Sequence, residues 1–208
     1  MNEDVDAIKS SLIYKFSGEL VVYKSYDTMI DEYCAVYPTE FLNKLCPGGM
    51  SPHELELKVN SLVILLRNLL SASVLCNGIR LICKQFFRNL IECVIVVGHN
   101  KGQHVLIPRI SLRPSDSEGY LFQFQRKQFP LKLSFAMTIN KAQGQTLSQV
   151  VAFLPRSCFS HGQLYVALSP TCKSANVSVI TEASTKQRKA TEVKNIVSYD
   201  ILGLAGII

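Results

Sequence analysis

No two of the chain's seven cysteines, at positions 34, 46, 76, 83, 93, 158 and 172, are spaced C-x-x-C, and one is left over from any full pairing. Neither a disulfide framework nor a zinc ribbon is supported, and a reducing compartment, nuclear or else cytoplasmic, is the expectation. A long apolar run is also missing. The uncharged stretch from Ser157 to Cys172 is broken by Ser, His, Gly and Gln, and the apolar end Ile201 to Ile208 is far shorter than a membrane span. A soluble protein with no membrane partner is the expectation. Met1, Asn2, Glu3 and Asp4 put acids where a targeting peptide carries basic residues, so secretion is not expected. Charge is scarce, at 18% of residues, and its net value of +6 fits a polyanion partner without identifying one. Against these absences stand 208 residues that are 48% hydrophobic, enough for one domain carrying a smaller inserted one.

The chain changes texture twice. Val5, Ile8, Leu12 and Ile13 recur near helical spacing, and Leu20 to Tyr23 is a short β-prone run behind Ser17-Gly18. Pro38-Thr39-Glu40 opens a short helix over Phe41 to Leu45, which Cys46-Pro47-Gly48-Gly49 stops. Five short apolar or β-branched runs follow, at 55–59, 62–66, 79–83, 91–97 and 105–112, and predict a compact barrel of the SH3-like sort. Asn77-Gly78 is a hairpin-type signal, and residues 98–102 read as a loose turn between strands. From Leu131 the alternation through Met137 predicts a strand. Thr138 then caps a short helix ended by Gly144, Val150 to Leu154 is a strand, Gly162 to Ser169 a helix, and Val177 to Ile180 a strand. Alternating strands and helices predict a parallel α/β sheet. Residues 181–194 read as a polar surface connection before a last element at 196–202.

Phe135 to Leu147, FAMTINKAQGQTL, gathers a strand end, Thr138, Lys141 and the Gln143-Gly144-Gln145 turn. Amide groups at a helix start, a hydroxyl and an ammonium suit phosphate oxygens, whether of a nucleotide or of a nucleic-acid strand. This stretch resembles the fifth conserved motif of the Pif-type (petite integration frequency) DNA helicases and of the related Helitron-transposon helicases. His161 to Pro170, HGQLYVALSP, resembles their sixth. YPTEFLNKL (37–45), LKVNSLVILLRNL (57–69), LCNGIRLI (75–82), IPRISLRPSD (107–116) and RKQFPLKLSFAM (126–137) follow the plant members in order, so the resemblance runs from Asn2 to about Leu202.

The resemblance implies an α/β superfamily 1B, RecD-like architecture: a second RecA-like motor domain, a parallel sheet with helices, carrying an inserted SH3-like all-β barrel. Residues 1–56 would be the first part of that domain with a linker, 57–133 the barrel, 134–202 the rest of the domain, and 203–208 a tail. In such helicases two RecA-like domains grip ATP and magnesium between them, and the enzyme walks 5′-to-3′ along single-stranded DNA. Thr138, Asn140 and Lys141 would lie near the strand's phosphates. Gln143 and Gly144 would face the nucleotide cleft, and Gln163 and Tyr165 would help to shape it.

Two departures qualify that picture. No G-x-x-x-x-G-K-[ST] occurs, so the triphosphate cradle is absent together with the rest of a first motor domain, and the chain reads as a C-terminal part that needs a separate partner for it. The family's sixth motif ends in an arginine finger where this chain has Pro170. Such a finger contributes on the order of a thousandfold or more to turnover in other nucleotide hydrolases. The chain alone is therefore predicted to have no catalytic residue, no metal site and no tight hold on ATP. Ala142 replaces the usual serine, and Asn60-Ser61 replaces Gly-Ala-Pro, a change that Asn tolerates through its ease in left-handed backbone.

Other signals are weaker. Asp31-Glu32 reads as a surface turn, since too short an apolar run precedes it for a Walker B strand. Cys158 and His161 lack an orienting carboxylate, and His53, His99 and His104 lack metal-ligand spacing. Phe86, Phe87, Phe122, Phe124 and Phe129 beside Arg88, Arg113, Arg126 and Lys127 are either base-stacking positions or a barrel core with solvated cations. The reading adopted is the C-terminal part of a Pif-type helicase, inactive alone. The alternatives are a motor-less module that binds single-stranded nucleic acid, a protein-interaction domain, and a decayed transposon remnant.

Overall fold

The computed structural model describes residues 2–30, 37–69, 75–115, 119–120, 122–156, 158, 160–181 and 195–196. The chain divides into two compact units after Ala136. Asp31-Glu32 and nearly all of 181–202, with the last element expected there, lie outside the described residues.

In the unit that runs from Asn2 to Ala136, helix α1 (Asn2–Ile13) leads to β1 (Val21–Lys24), β2 (Tyr26–Met29) and the short α2 (Thr39–Lys44). Pro38 stands just outside α2 as its N-cap, with extended backbone, because its fixed φ suits helix entry. Then come β3 (Glu54–Leu57), β4 (Leu62–Leu65), β5 (Arg80–Phe86), β6 (Leu90–Ile95), β7 (His104–Pro108), β8 (Ile110–Leu112), β9 (Phe124–Gln128) and β10 (Leu131–Leu133). Five of these form an antiparallel sheet in the order β10-β4-β5-β6-β7; β1 pairs with β3, and β2-β9-β8 form a third antiparallel sheet.

Period-two burial explains the packing: Leu81 and Cys83 on β5, and Ile91, Cys93 and Ile95 on β6, all point into one core. Tyr23, Leu55, Leu57, Phe129 and Leu131 close the same core, and a smaller one forms around Leu42, Met50, Leu112, Phe122 and Phe124. Asn60 takes φ 67°, the left-handed backbone anticipated for it, and its Oδ1 accepts a bond from Lys84 Nζ at 2.8 Å. Asn77-Gly78 is a turn, as expected, with Gly78 at φ 91°, but it leads directly into β5, whose partner is β4. The 98–102 turn joins β6 to β7 as expected.

Two runs read as continuous are cut by changes of sheet. Residues 105–112 break at Arg109, so that β7 stays in the five-stranded sheet while β8 joins β9; Pro108, which has no amide proton, is the last residue of edge strand β7. The alternation from Leu131 to Met137 is strand only to Leu133. Its partner β4 begins at Leu62, whose carbonyl takes the Ser134 amide at 3.0 Å, and beyond that point no ladder is available.

In the other unit, described from Met137 to Thr181, α3 (Ile139–Ala142) precedes β11 (Val150–Leu154), α4 (Gln163–Leu168), a 3-10 turn (Ser174–Asn176) and β12 (Val177–Thr181). β11 and β12 pair in parallel, Val150 opposite Val177 through Leu154 opposite Thr181, which is the pairing that the alternating pattern predicted.

Candidate functional site

Thr138 has the extended backbone of an N-cap, φ −70° and ψ 154°, but its hydroxyl makes no capping bond. Only one turn of helix follows. The Lys141 amide closes on Thr138 O at 3.0 Å, the Gln145 amide on Ala142 O at 3.1 Å, and Gly144 turns the chain at φ 74°. So short a helix has little dipole to offer an anion, so what this junction can give a phosphate is the ammonium and amide side chains of Lys141 and Asn140, both exposed. Gln143 and Gly144 are exposed beside them, and Thr138 is half-buried.

α4 starts at Gly162, whose φ of 74° turns the chain into the helix, and α3 packs against it. The small residues Ala142 on α3 and Ala167 on α4 are both buried, and the Pro170 carbonyl receives the Leu147 amide at 2.8 Å. This brings the two motif-like stretches, 138–145 and 163–170, side by side. On α4 itself, Gln163 and Tyr165 are two residues apart and so project about 200° from each other. Gln163 is buried in line with Ala167, whereas Tyr165 is 74% exposed. Of the two, Tyr165 is the one that reaches solvent. Pro170 is itself buried.

The aromatic and basic stretch of the other unit sorts differently. Phe124 and Phe129 are fully buried, Phe122 nearly so, and Phe87 is exposed. Arg126 is no solvated cation: it has no exposed surface and all five of its N–H donors are used. Nε and Nη2 grip the Asp27 carboxylate at 2.7 to 3.0 Å, and the remaining donors reach the carbonyls of Leu42, Leu45 and Ser51. Arg88, Arg113 and Lys127 are exposed. Lys24, Tyr26 and Arg109, which sequence reasoning passed over, share a cavity with Arg88 and Lys127. The one signal for Tyr26 was its alternation with Asp27, and no local pattern marks Arg109.

The remaining candidates occupy ordinary positions. His104 Nδ1 meets Glu92 Oε1 at 2.6 Å, His53 Nδ1 meets Ser25 Oγ at 2.8 Å, and Cys158 is buried. Among the described residues no group of His, Cys, Asp and Glu could hold a metal ion, and no helix is long and apolar enough to cross a membrane. Cys83 and Cys93 face each other across β5 and β6, and the sulfur–sulfur contact together with burial pushes the Cys83 thiol far above its ordinary pKa.

Residues 40–86 match the family described as DNA helicase Pif1, 2B domain. The ATP-dependent DNA helicase PIF6 of Trypanosoma brucei brucei is 38% identical over 118 residues, which are 55% of this chain and 15% of that protein. The ATP-dependent DNA helicase PIF1 of Danio rerio is 35% identical over 181 residues, 80% of this chain and 24% of that protein. The chain thus spans a quarter or less of the length of either relative. Among solved structures, Pif1 helicase from Candida albicans superposes with a TM-score of 0.69 at 25% identity, covering 99% of this chain and 48% of that one. Bacteroides Pif1 bound to ssDNA superposes at 0.68 and 21% identity, covering 99% and 43%. In sequence and in fold the chain is similar over most of its length to the Pif1-type DNA helicases of superfamily 1B, and its mixed α/β architecture, a RecA-like part with an inserted β domain, is theirs.

Proposed function

We propose that this chain is the second motor region of a 5′-to-3′ ATP-dependent DNA helicase of the Pif type, akin to the Helitron helicases, and that by itself it holds single-stranded DNA without hydrolysing ATP. The observation that carries this reading is the packing of α3 on α4, which sets the fifth-motif and sixth-motif stretches against each other in a chain similar to these helicases over most of its length. Residues 1–56 and 134–202 are assigned to the motor domain, 57–133 to the inserted barrel and 203–208 to a tail.

In this reading Lys141 and Asn140 contact the strand's phosphates with Thr138 behind them, and Gln143, Gly144 and Tyr165 present themselves to the nucleotide. Gln163, buried, keeps α4 in place. ATP supplies the free energy of translocation when two motor domains close on it with magnesium. Nothing in these 208 residues provides the lysine and hydroxyl that cradle its phosphates, and Pro170 offers no charge to the transferring phosphoryl group.

A pair of assays on the purified chain tests this. ATP turnover stimulated by single-stranded DNA should stay at background, while a labelled oligothymidylate binds with an affinity that falls steeply as salt rises. Lys141→Ala should flatten the log–log salt slope by about 0.7, the share of one phosphate on a single strand. Robust turnover, or a slope that Lys141→Ala leaves unchanged, defeats the reading.

A further inference from the structure

The strands change sheets at two places that meet in space. At Ser25 the chain passes from β1, paired with β3, to β2, paired with β9, and at Arg109 it passes from β7 to β8. Arg109 pins the meeting point. Its Nη1 donates to Lys24 O at 2.9 Å and to Gln128 Oε1 at 3.2 Å, and its Nε donates to Arg88 O at 3.4 Å. Its guanidinium lies 5.3 Å from the Tyr23 ring centre and 4.7 Å from that of Phe129. Around it opens a cavity of about 350 Å³ lined by Lys24, Tyr26, Arg88, Asn89, Arg109 and Lys127.

Four of those six residues are cations and none is an acid; the nearby Glu54 carboxylate, 3.1 Å from Lys24, offsets one charge. Arg88 and Lys127 make no side-chain hydrogen bond or ion pair with any described residue. The Tyr26 ring is 70% exposed and stands directly opposite Lys127 in the β2–β9 ladder, so the two side chains share a face. One step along, Asp27 and Arg126 point the other way and neutralise each other inside. The same pair of strands therefore buries its matched charges and leaves its unmatched cation beside an aromatic ring outside.

We infer that this cavity is a second contact for a nucleic-acid single strand, Arg88 and Lys127 taking phosphate oxygens and Tyr26 stacking an unpaired base. The volume suits one nucleotide unit, since small-molecule sites begin at about 300 Å³. An unpaired base rather than a duplex is required because a stacked pair offers no free face to Tyr26. The site lies wholly within residues 2–136 and does not rest on the role given to Lys141.

Fluorescence anisotropy of the 208-residue chain with a labelled oligothymidylate tests it against three variants. Arg88→Gln with Lys127→Gln should flatten the salt slope by about 1.4, two phosphates at about 0.7 each, and Arg88→Lys with Lys127→Arg should restore it. Tyr26→Leu should weaken binding by roughly tenfold on the ordinary strand and leave an abasic strand unaffected. All positions are exposed, so unchanged thermal unfolding certifies the fold of each variant. A wild-type slope in the double glutamine variant, an equal loss on the abasic strand, duplex binding as tight as single-strand binding, or no binding by the parent chain would each overturn the inference. Loss in Lys141→Ala alone would overturn it too, yet leave the helicase reading standing; loss in the double glutamine variant alone would do the reverse.

Discussion

The two units are held together in different ways. Residues 2–136 close two apolar cores and spend every donor of a buried arginine on one carboxylate and three carbonyls. In the part described from Met137 to Thr181, two parallel strands leave Val151, Phe153, Val179 and Ile180 exposed, and the buried side chains are mostly small. Parallel sheets are ordinarily covered on both faces, and two strands are too few for independent stability. Among the described residues, buried apolar surface is thus concentrated in the β-rich unit. The stretches that resemble helicase motifs sit on the other one, on helices of four and six residues whose buried side chains are Ala142, Gln163 and Ala167.

That contrast is breakable, most severely at Asp27. Asp27→Ala strands the Arg126 charge in the interior and should cost about 3–5 kcal/mol in urea unfolding, enough to unfold a marginal domain. A loss below about 1 kcal/mol would mean that water reaches the pair. Next in size, Ile91→Ala removes a fully buried side chain between β5 and β7 and should cost about 2–5 kcal/mol by the same measurement. Asn60→Val forces a β-branched residue into left-handed backbone and should cost about 1–2 kcal/mol, whereas Asn60→Gly should stay closer to wild type. Smallest of all, Val151→Thr on the exposed side of β11 should change stability by no more than about 0.5 kcal/mol.

Thiol chemistry gives an independent check that needs no mutation. With its pKa raised, Cys83 presents no thiolate near neutral pH, and both Cys83 and Cys93 are buried away from reagent. Cys46, Cys76 and Cys172 should react with a thiol reagent in the native state, and Cys83 and Cys93 only on unfolding. Early labelling of Cys93 would show that the five-stranded sheet opens as readily as the motif-bearing unit.

Much of the fold was legible locally. Gly78 and Gly144 turn the chain where the pattern put turns, and the apolar runs became strands within a few residues of where they were read. The breaks at Ser25 and Arg109 were not legible, because a change of sheet depends on which strand offers its edge. Nor was it legible that on α4 Gln163 is buried while Tyr165 is exposed, since burial depends on what packs against the helix.

The sequence alone determined what a few residues permit or impose locally: left-handed backbone tolerated at Asn60, turns at glycine, and alternation of side chains along strands. Tertiary structure decided which of two adjacent basic residues became structural and which stayed available. Arg126 and Lys127 must point to opposite faces by the geometry of any strand, but only Asp27, brought across from 99 positions away, makes the inner face habitable for a charge.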